Sequence, residues 1–232
     1  MGQDFYTHSQ AARTIFDEAD EVIGTKLSSL CFYGPEESLK QTINTQPALY
    51  VSSVAALRVL QEAGAPQPEA LAGHSVGEYA ALFAAGAFSF ETGLHLVQRR
   101  AQEMHRAASA APGAMAAVLG LTGAQVVSAC AEAAEAGVVS AANFNGGGQV
   151  VISGSPEGVA RASEIAKANG AKRVIPLNVS GAFHSSLMSP AVEAMSHVLS
   201  DAIVQAAAIP VVANYTDRKK SIFTSGHAGS AC

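Results

Sequence analysis

Gly73-His74-Ser75-Val76-Gly77 fits the G-x-S-x-G pattern, in which a serine sits on a tight turn between a strand and a helix. A serine hydroxyl is a weak nucleophile by itself. Such an elbow exposes it at a helix N-terminus, where backbone N–H groups can stabilise a developing oxyanion. In a chain with 21 glycines the pentapeptide also arises by chance, so its context carries the argument. A short apolar segment, Glu69–Ala72, precedes it, and an alanine-rich stretch from Glu78 to Ala85 follows and closes at Gly86. Ser75 is therefore the candidate nucleophile, with His74 beside it on the turn as a pocket-lining residue.

A nucleophilic serine needs a base, and seven histidines compete. His95, His105 and His197 fall in helical patterns, and His8 and His227 lie near the ends. His184, in Ser180-Gly181-Ala182-Phe183-His184-Ser185, follows a strand-like segment and a glycine, where a loop can return to a cleft. No aspartate occurs between Asp20 and Asp201, so an ordinary serine, acid, histidine triad would have to use a glutamate. A Ser–His dyad, with the imidazole oriented by backbone carbonyls, accounts better for the composition. Arg99-Arg100 sits on the helix after the elbow. Arg100 falls beside Leu96, Val97 and Met104, while Arg99 should face water. Two readings stay open for this pair: surface arginines with buried stems, or an Arg100 that grips a substrate carboxylate with two parallel hydrogen bonds.

The elements that must position these groups follow from periodicity. Gln10–Ile23, capped by Ser9, puts Ala12, Ile15, Phe16, Ala19 and Ile23 on one helical face. A short helix covers about Glu36–Ile43. A longer one enters at Thr45-Gln46-Pro47, with Thr45 as cap and Pro47 in the first turn, and presents Leu49, Val54, Leu57 and Leu60 as core. Ser89 caps a helix from Phe90 to about Ala108 with Leu94, Val97, Ala101 and Met104 on one side. From Ala114 to Leu177 the order becomes strand (114–120), helix (123–136), strand (138–143), strand (149–153), helix (opened by Ser155-Pro156-Glu157), strand (172–177). That is the signature of a ferredoxin-like unit, inserted between helix-rich halves.

The 232 residues are 49% hydrophobic and 14% charged, with a net charge of −5. They suffice for a large core, and the mild acidity, with no long Lys/Arg run, argues against nucleic acid or a membrane surface as partner. No apolar stretch approaches a membrane span, and the start lacks a signal-peptide pattern. Cys31, Cys130 and Cys232 share no metal-ligand spacing. A cytoplasmic α/β protein is expected.

Several segments together resemble the malonyl-CoA:acyl-carrier-protein transacylases of bacterial fatty-acid synthesis. They are Gly73–Leu82, Gln46-Pro47-Ala48, Asn143-Phe144-Asn145, Gly148–Gly154 and Ser180–His184, in order and with matching spacing from Met1 to about Asn214. The resemblance implies an α/β-hydrolase-like core over 1–110 and 178–232 with an inserted ferredoxin-like subdomain over 111–177. It makes Ser75 the acylated nucleophile, His184 its base, and Arg100 the partner of malonate's free carboxylate. The Val76 N–H becomes an oxyanion donor, Gln46 and Asn143 fall at positions close to the site, and Phe183 fills the space that an α-methyl group would need. Malonyl-CoA and acyl carrier protein are the implied substrates and partners, and no metal or redox cofactor is implied. Lys167, Lys172 and Arg173 are candidates for receiving an acidic carrier, with simple solvated cations as the plainer reading. Measured against the family pattern the chain is truncated at both ends: it begins just after a Gly-Gln-Gly-Ser-Gln loop and stops before an Asn-Pro-Val-x-Trp segment. The tail after Tyr215 matches no part of the family. A serine hydrolase or thioesterase, and an inactive relative that only binds CoA or carrier protein, are the competing functions.

Overall fold

The computed structural model describes residues 1–215 and the backbone of 219–220; Cys232, His227 and the rest of the tail lie outside the described residues. In chain order the elements are α1 (Gln3–His8), α2 (Gln10–Ile23), α3 (Leu27–Tyr33), α4 (Glu36–Lys40), α5 (Thr42–Glu62), β1 (Leu71–Ala72), α6 (Gly77–Ala84) and α7 (Phe90–Ala110). Then come β2 (Ala114–Leu119), α8 (Gly123–Ala133), β3 (Val139–Phe144), β4 (Gln149–Gly154), α9 (Pro156–Ala168), β5 (Arg173–Pro176), α10 (Ser189–Asp201), β6 (Val211–Val212) and β7 (Lys219–Lys220). The chain divides into two units, 1–102 with 194–232, and 103–193, so both divisions fall inside helices.

In the first unit β6 lies between β1 and β7, parallel to β1 and antiparallel to β7. The register pairs Leu71 with Val211 and Ala72 with Val212. Around this sheet the core gathers the inner faces of α2 and α5, the start of α7, and Ile209 and Val211. Ser9 caps α2 by accepting the Ala12 N–H at 3.1 Å, and Ala12, Ile15, Phe16 and Ala19 are buried as the spacing predicts. Ser89 caps α7 through the Thr92 N–H at 3.1 Å. The stripe of Leu94, Val97, Ala101 and Met104 is buried.

The expected start of the long helix is corrected. The chain breaks at Gln41, whose ψ of 130° is extended, and α5 begins at Thr42, leaving Pro47 inside the helix. Thr45 does not cap; its hydroxyl donates to Leu39 O at 2.5 Å and to Gln41 O at 3.1 Å, stitching the bend between α4 and α5. Of the expected core stripe Val54 is buried and Leu57 half-buried, but the two outer leucines are not. Tyr50, Val51, Val54 and Ala55 face inward, whereas Leu49 and Leu60 are 40% and 56% exposed. Leucine count misled here because the inward face is made of Pro47, Ala48 and the Tyr/Val set one position away.

The second unit has a four-stranded sheet in the order β3-β4-β2-β5, every neighbouring pair antiparallel. Helices α8 and α9 bury Val126, Ala129, Cys130, Val159, Ala162 and Ile165 against Ala116, Val118, Val150 and Ile152 of the sheet. Thr122 and Gln125 cap α8 reciprocally, and Ser155 with Pro156 opens α9. Burial pushes the thiols of Cys31 and Cys130 up to about 11, which keeps them protonated and unreactive at neutral pH. No helix among the described residues is long and apolar enough to cross a membrane.

Leu94→Ala, at a position with no exposure, is expected to lower unfolding free energy by about 2–5 kcal/mol. Leu60→Ala should change it by less than about 0.5 kcal/mol. Urea denaturation of the two variants checks the corrected assignment of the core.

Candidate active site

Ser75 lies in the turn between β1 and α6 at φ 52°. His184, in the second unit, is at φ 61°, and among the described residues these two are the non-glycine residues with positive φ. The left-handed region costs a residue with a Cβ about 1–3 kcal/mol and persists where surrounding structure over-determines it. The elbow shows how. A Cβ at Gly73 would stand 2.0 Å from the carbonyl carbon and oxygen of Gly77, so only glycine lets the chain double back this tightly. At Gly77 the same atom would meet nothing within 4 Å. Of the motif's two glycines, the fold requires the first. The turn then enters α6 through N–H bonds from Gly77 to His74 O (2.9 Å), Glu78 to Ser75 O (3.1 Å) and Tyr79 to Val76 O (3.1 Å).

Arg100 is only 2% exposed. Its position on α7, one turn beyond Leu96 and Val97, sends the guanidinium under the elbow. Nη2 donates to Ser75 Oγ at 3.1 Å and Nη1 donates to Gln46 Oε1. Gln46, itself buried on α5, donates through Nε2 to Thr42 Oγ1 at 3.0 Å, which fixes the oxygen end of its amide towards the arginine. A permanently charged group is thus held in the interior within hydrogen-bond distance of the candidate nucleophile. Val76, buried, stands at the N-cap of α6. Its N–H meets no acceptor among the described residues, as an oxyanion donor must before substrate arrives. His74 is exposed beside it. Arg99 is half-buried and lines a surface groove on α7 with Thr92, His95 and Gln98.

The structure therefore brings Ser75, Val76, Arg100 and Gln46 together within the first unit. His184, Phe183 and Asn143 belong to the second unit, which positions each of them. The loop before His184 lies against α7, where a Cβ at Gly181 would stand 2.5 Å from Ala108 Cβ. Ser185 Oγ then donates to Ala182 O at 2.7 Å, tying the turn on the far side of the histidine. Phe183 is half-buried against Met104, Ala107, Ala108 and Met188. Asn143 sits where β3 slips register against β4, between the pairs Ala141–Ile152 and Asn143–Val151; such an irregularity re-aims a side chain. His8, His95, His105 and His197 are exposed, and His95 stands 3.7 Å from Glu91 one turn away. Lys167, Lys172 and Arg173 are exposed.

Sequence reading missed two residues at the elbow. Asn214, just past β6, accepts the Ser75 N–H on Oδ1 at 3.1 Å and donates Nδ2 to Gly73 O at 2.7 Å. Its own N–H donates to Glu78 Oε2 at 2.9 Å, and Glu78 is 2% exposed. Among the described residues no group of three His, Cys, Asp or Glu side chains is arranged to hold a metal ion.

The family model described as "acyl transferase domain" matches residues 1–225. The chain is 48% identical over 215 residues to a malonyl CoA-acyl carrier protein transacylase of Bacillus subtilis, covering 92% of this chain and 68% of that one. It is 46% identical over 199 residues to the protein of the same name from Escherichia coli, covering 86% of this chain and 64% of that one. A malonyl-transacylase solved in complex with its type II PKS acyl-carrier protein superposes with a TM-score of 0.90 at 42% identity, covering 95% of this chain and 71% of that one. The chain thus spans about two thirds of the length of the curated relatives it matches.

Gly73→Ala is expected to destabilise the first unit by about 3 kcal/mol, whereas Gly77→Ala should leave stability within about 0.5 kcal/mol of the parent. Thermal and urea melts of the pair test whether the steric demand falls on the first glycine alone.

Proposed function

Because this chain belongs to the acyl transferase domain family, we propose that it transfers a malonyl group from malonyl-CoA to the phosphopantetheine thiol of acyl carrier protein, through a malonyl ester on Ser75. The observation that carries the proposal is the buried Arg100 guanidinium donating to Ser75 Oγ. A malonyl ester on that oxygen carries its free carboxylate three bonds further out, within reach of the same guanidinium. An acetyl ester offers no anion there and leaves the arginine's preference unmet.

In the first half-reaction His184 takes the proton from Ser75 Oγ as the oxygen attacks the thioester carbonyl. The tetrahedral oxyanion is held by the Val76 N–H. Collapse breaks the carbon–sulfur bond, and the coenzyme A thiolate leaves with the proton from His184. In the second half-reaction His184 deprotonates the carrier's thiol, which attacks the seryl ester. Ser75 recovers its proton as the malonyl thioester departs. Arg100, oriented by Gln46, keeps the malonyl carboxylate in place throughout. Phe183 narrows the space beside the α-carbon, and Asn143 lines the acyl or pantetheine path. His74 borders the entrance.

The chain's own side chains supply this chemistry; malonyl-CoA enters as substrate, and neither a metal nor a redox cofactor is called for. Acyl carrier protein is the acceptor, and the cytoplasm is where such a pool of CoA thioester and carrier would be met. For the architecture, we read 1–110 and 178–232 as an α/β-hydrolase-like core and 111–177 as an inserted ferredoxin-like subdomain. The parallel β1–β6 pair ending at the elbow, and the sheet order β3-β4-β2-β5, support that reading.

Two variants test the assignment. Arg100→Ala should reduce turnover with malonyl-CoA by about 100-fold or more while acetyl transfer changes little, so that the preference between the two donors collapses. Equal loss for both donors would remove Arg100 from carboxylate recognition. His184→Ala should reduce Ser75 acylation by about 100- to 10,000-fold, read by rapid-quench mass analysis.

A further inference from the structure

We infer that Asn214 is a positioning residue that fixes the nucleophile elbow, and that Glu78 holds Asn214 in that role; the inference rests on Ser75 being the nucleophile. Leu71 faces Val211 and Ala72 faces Val212, so two further steps would set His74 opposite Asn214. In a parallel ladder the residue opposite His74 would donate its N–H to Gly73 O and accept the Ser75 N–H on its own carbonyl. Both bonds are present, but Asn214 makes them with its side chain: Nδ2 donates to Gly73 O at 2.7 Å, and Oδ1 accepts the Ser75 N–H at 3.1 Å. The carboxamide stands in for a peptide group and extends the ladder one step past the strand. An asparagine side chain has the one donor and one acceptor that this requires.

The backbone N–H of Asn214, released from the ladder, donates to Glu78 Oε2 at 2.9 Å, and Nδ2 donates to the same oxygen. Glu78 stands on the first turn of α6, three residues after Ser75, so the clamp closes on both sides of the nucleophile. Its other oxygen, Oε1, is buried without a hydrogen-bond partner among the described residues. A buried carboxylate with an unsatisfied oxygen is a poor device for stability, which argues that its place is kept for what its partner does. The clamp has two consequences for the chemistry. It supplies the outside constraint that the φ of 52° at Ser75 requires. It also occupies the Ser75 N–H, so the Val76 N–H is the elbow amide left to meet the oxyanion.

The test compares the parent chain with Asn214→Ala, Glu78→Gln and Glu78→Leu, each first shown to be folded by its melting transition. Ser75 reactivity is read as the rate of labelling by a fluorophosphonate, followed by intact mass, and as the rate and concentration dependence of acylation by malonyl-CoA. Asn214→Ala should label and acylate about 100-fold more slowly, with the half-saturating malonyl-CoA concentration changed by less than about threefold, because Arg100 and Gln46 are untouched. Glu78→Gln keeps an acceptor for both Asn214 donors and should stay within about threefold of the parent. Glu78→Leu removes the acceptor and should fall with Asn214→Ala, and it decides the matter if Asn214→Ala does not fold. Parent-like labelling of folded Asn214→Ala would overturn the inference. So would a loss confined to substrate affinity, a Glu78→Gln as impaired as Asn214→Ala, or a parent chain whose Ser75 does not label. A parent that labels at Ser75 yet takes no malonyl group would instead sink the transferase reading, and the labelling rates would still judge the clamp.

Discussion

Everything proposed for this protein depends on holding one serine in a backbone conformation that serine disfavours. At φ 52° Ser75 holds its hydroxyl within hydrogen-bond distance of the Arg100 guanidinium, and each neighbouring feature serves that geometry. Gly73 removes the Cβ that would strike the Gly77 carbonyl. The parallel pairing of β1 with β6 brings the chain after residue 212 alongside the chain after residue 72, so groups 139 residues apart in sequence meet at the elbow. Carboxyl ends of parallel strands are where α/β folds place their sites, and the reason is visible here. Strands stop, loops diverge, and backbone N–H groups at the next helix start remain available for a ligand.

The second constraint is electrostatic. Burying a guanidinium is expensive unless hydrogen bonds replace its hydration. The first unit meets that cost with two side-chain oxygens that accept from Arg100 of α7: Gln46 Oε1 on α5, its amide held by Thr42, and Ser75 Oγ at the elbow. The arrangement leaves a positive charge in a dry setting where a carboxylate is recognised more strongly than in water. It also places that charge beside Ser75 Oγ, which in the proposed reaction links recognition of the acyl group to the atom that would carry it. Within the second unit His184 has an equally unusual backbone, at φ 61°, and its loop is pinned by Gly181 and Ser185.

Much of this was legible in the sequence because the signals are local. Caps at Ser9, Ser89 and Ser155 act over three residues, and the motif around Ser75 is contiguous; each is readable without knowing the fold. Arg100 was readable only as two alternatives, since helical spacing puts it near the apolar face without saying what lies opposite. Of the stripe expected for α5, Val54 is buried, whereas Leu49 and Leu60 were misassigned because Tyr50, Val51 and Ala55 complete the inward face in their place. Asn214 could not have been found by spacing at all. Its role exists only once β6 is known to lie beside β1, and no local pattern announces that pairing.

The most direct measurement is intact mass of the chain after brief exposure to malonyl-CoA, beside Ser75→Ala and an acetyl-CoA control. A single added malonyl group, absent from Ser75→Ala and much weaker as acetyl from acetyl-CoA, is the predicted result. A folded chain that takes up no malonyl group, or one that takes it up equally when Ser75 is alanine, would contradict the account.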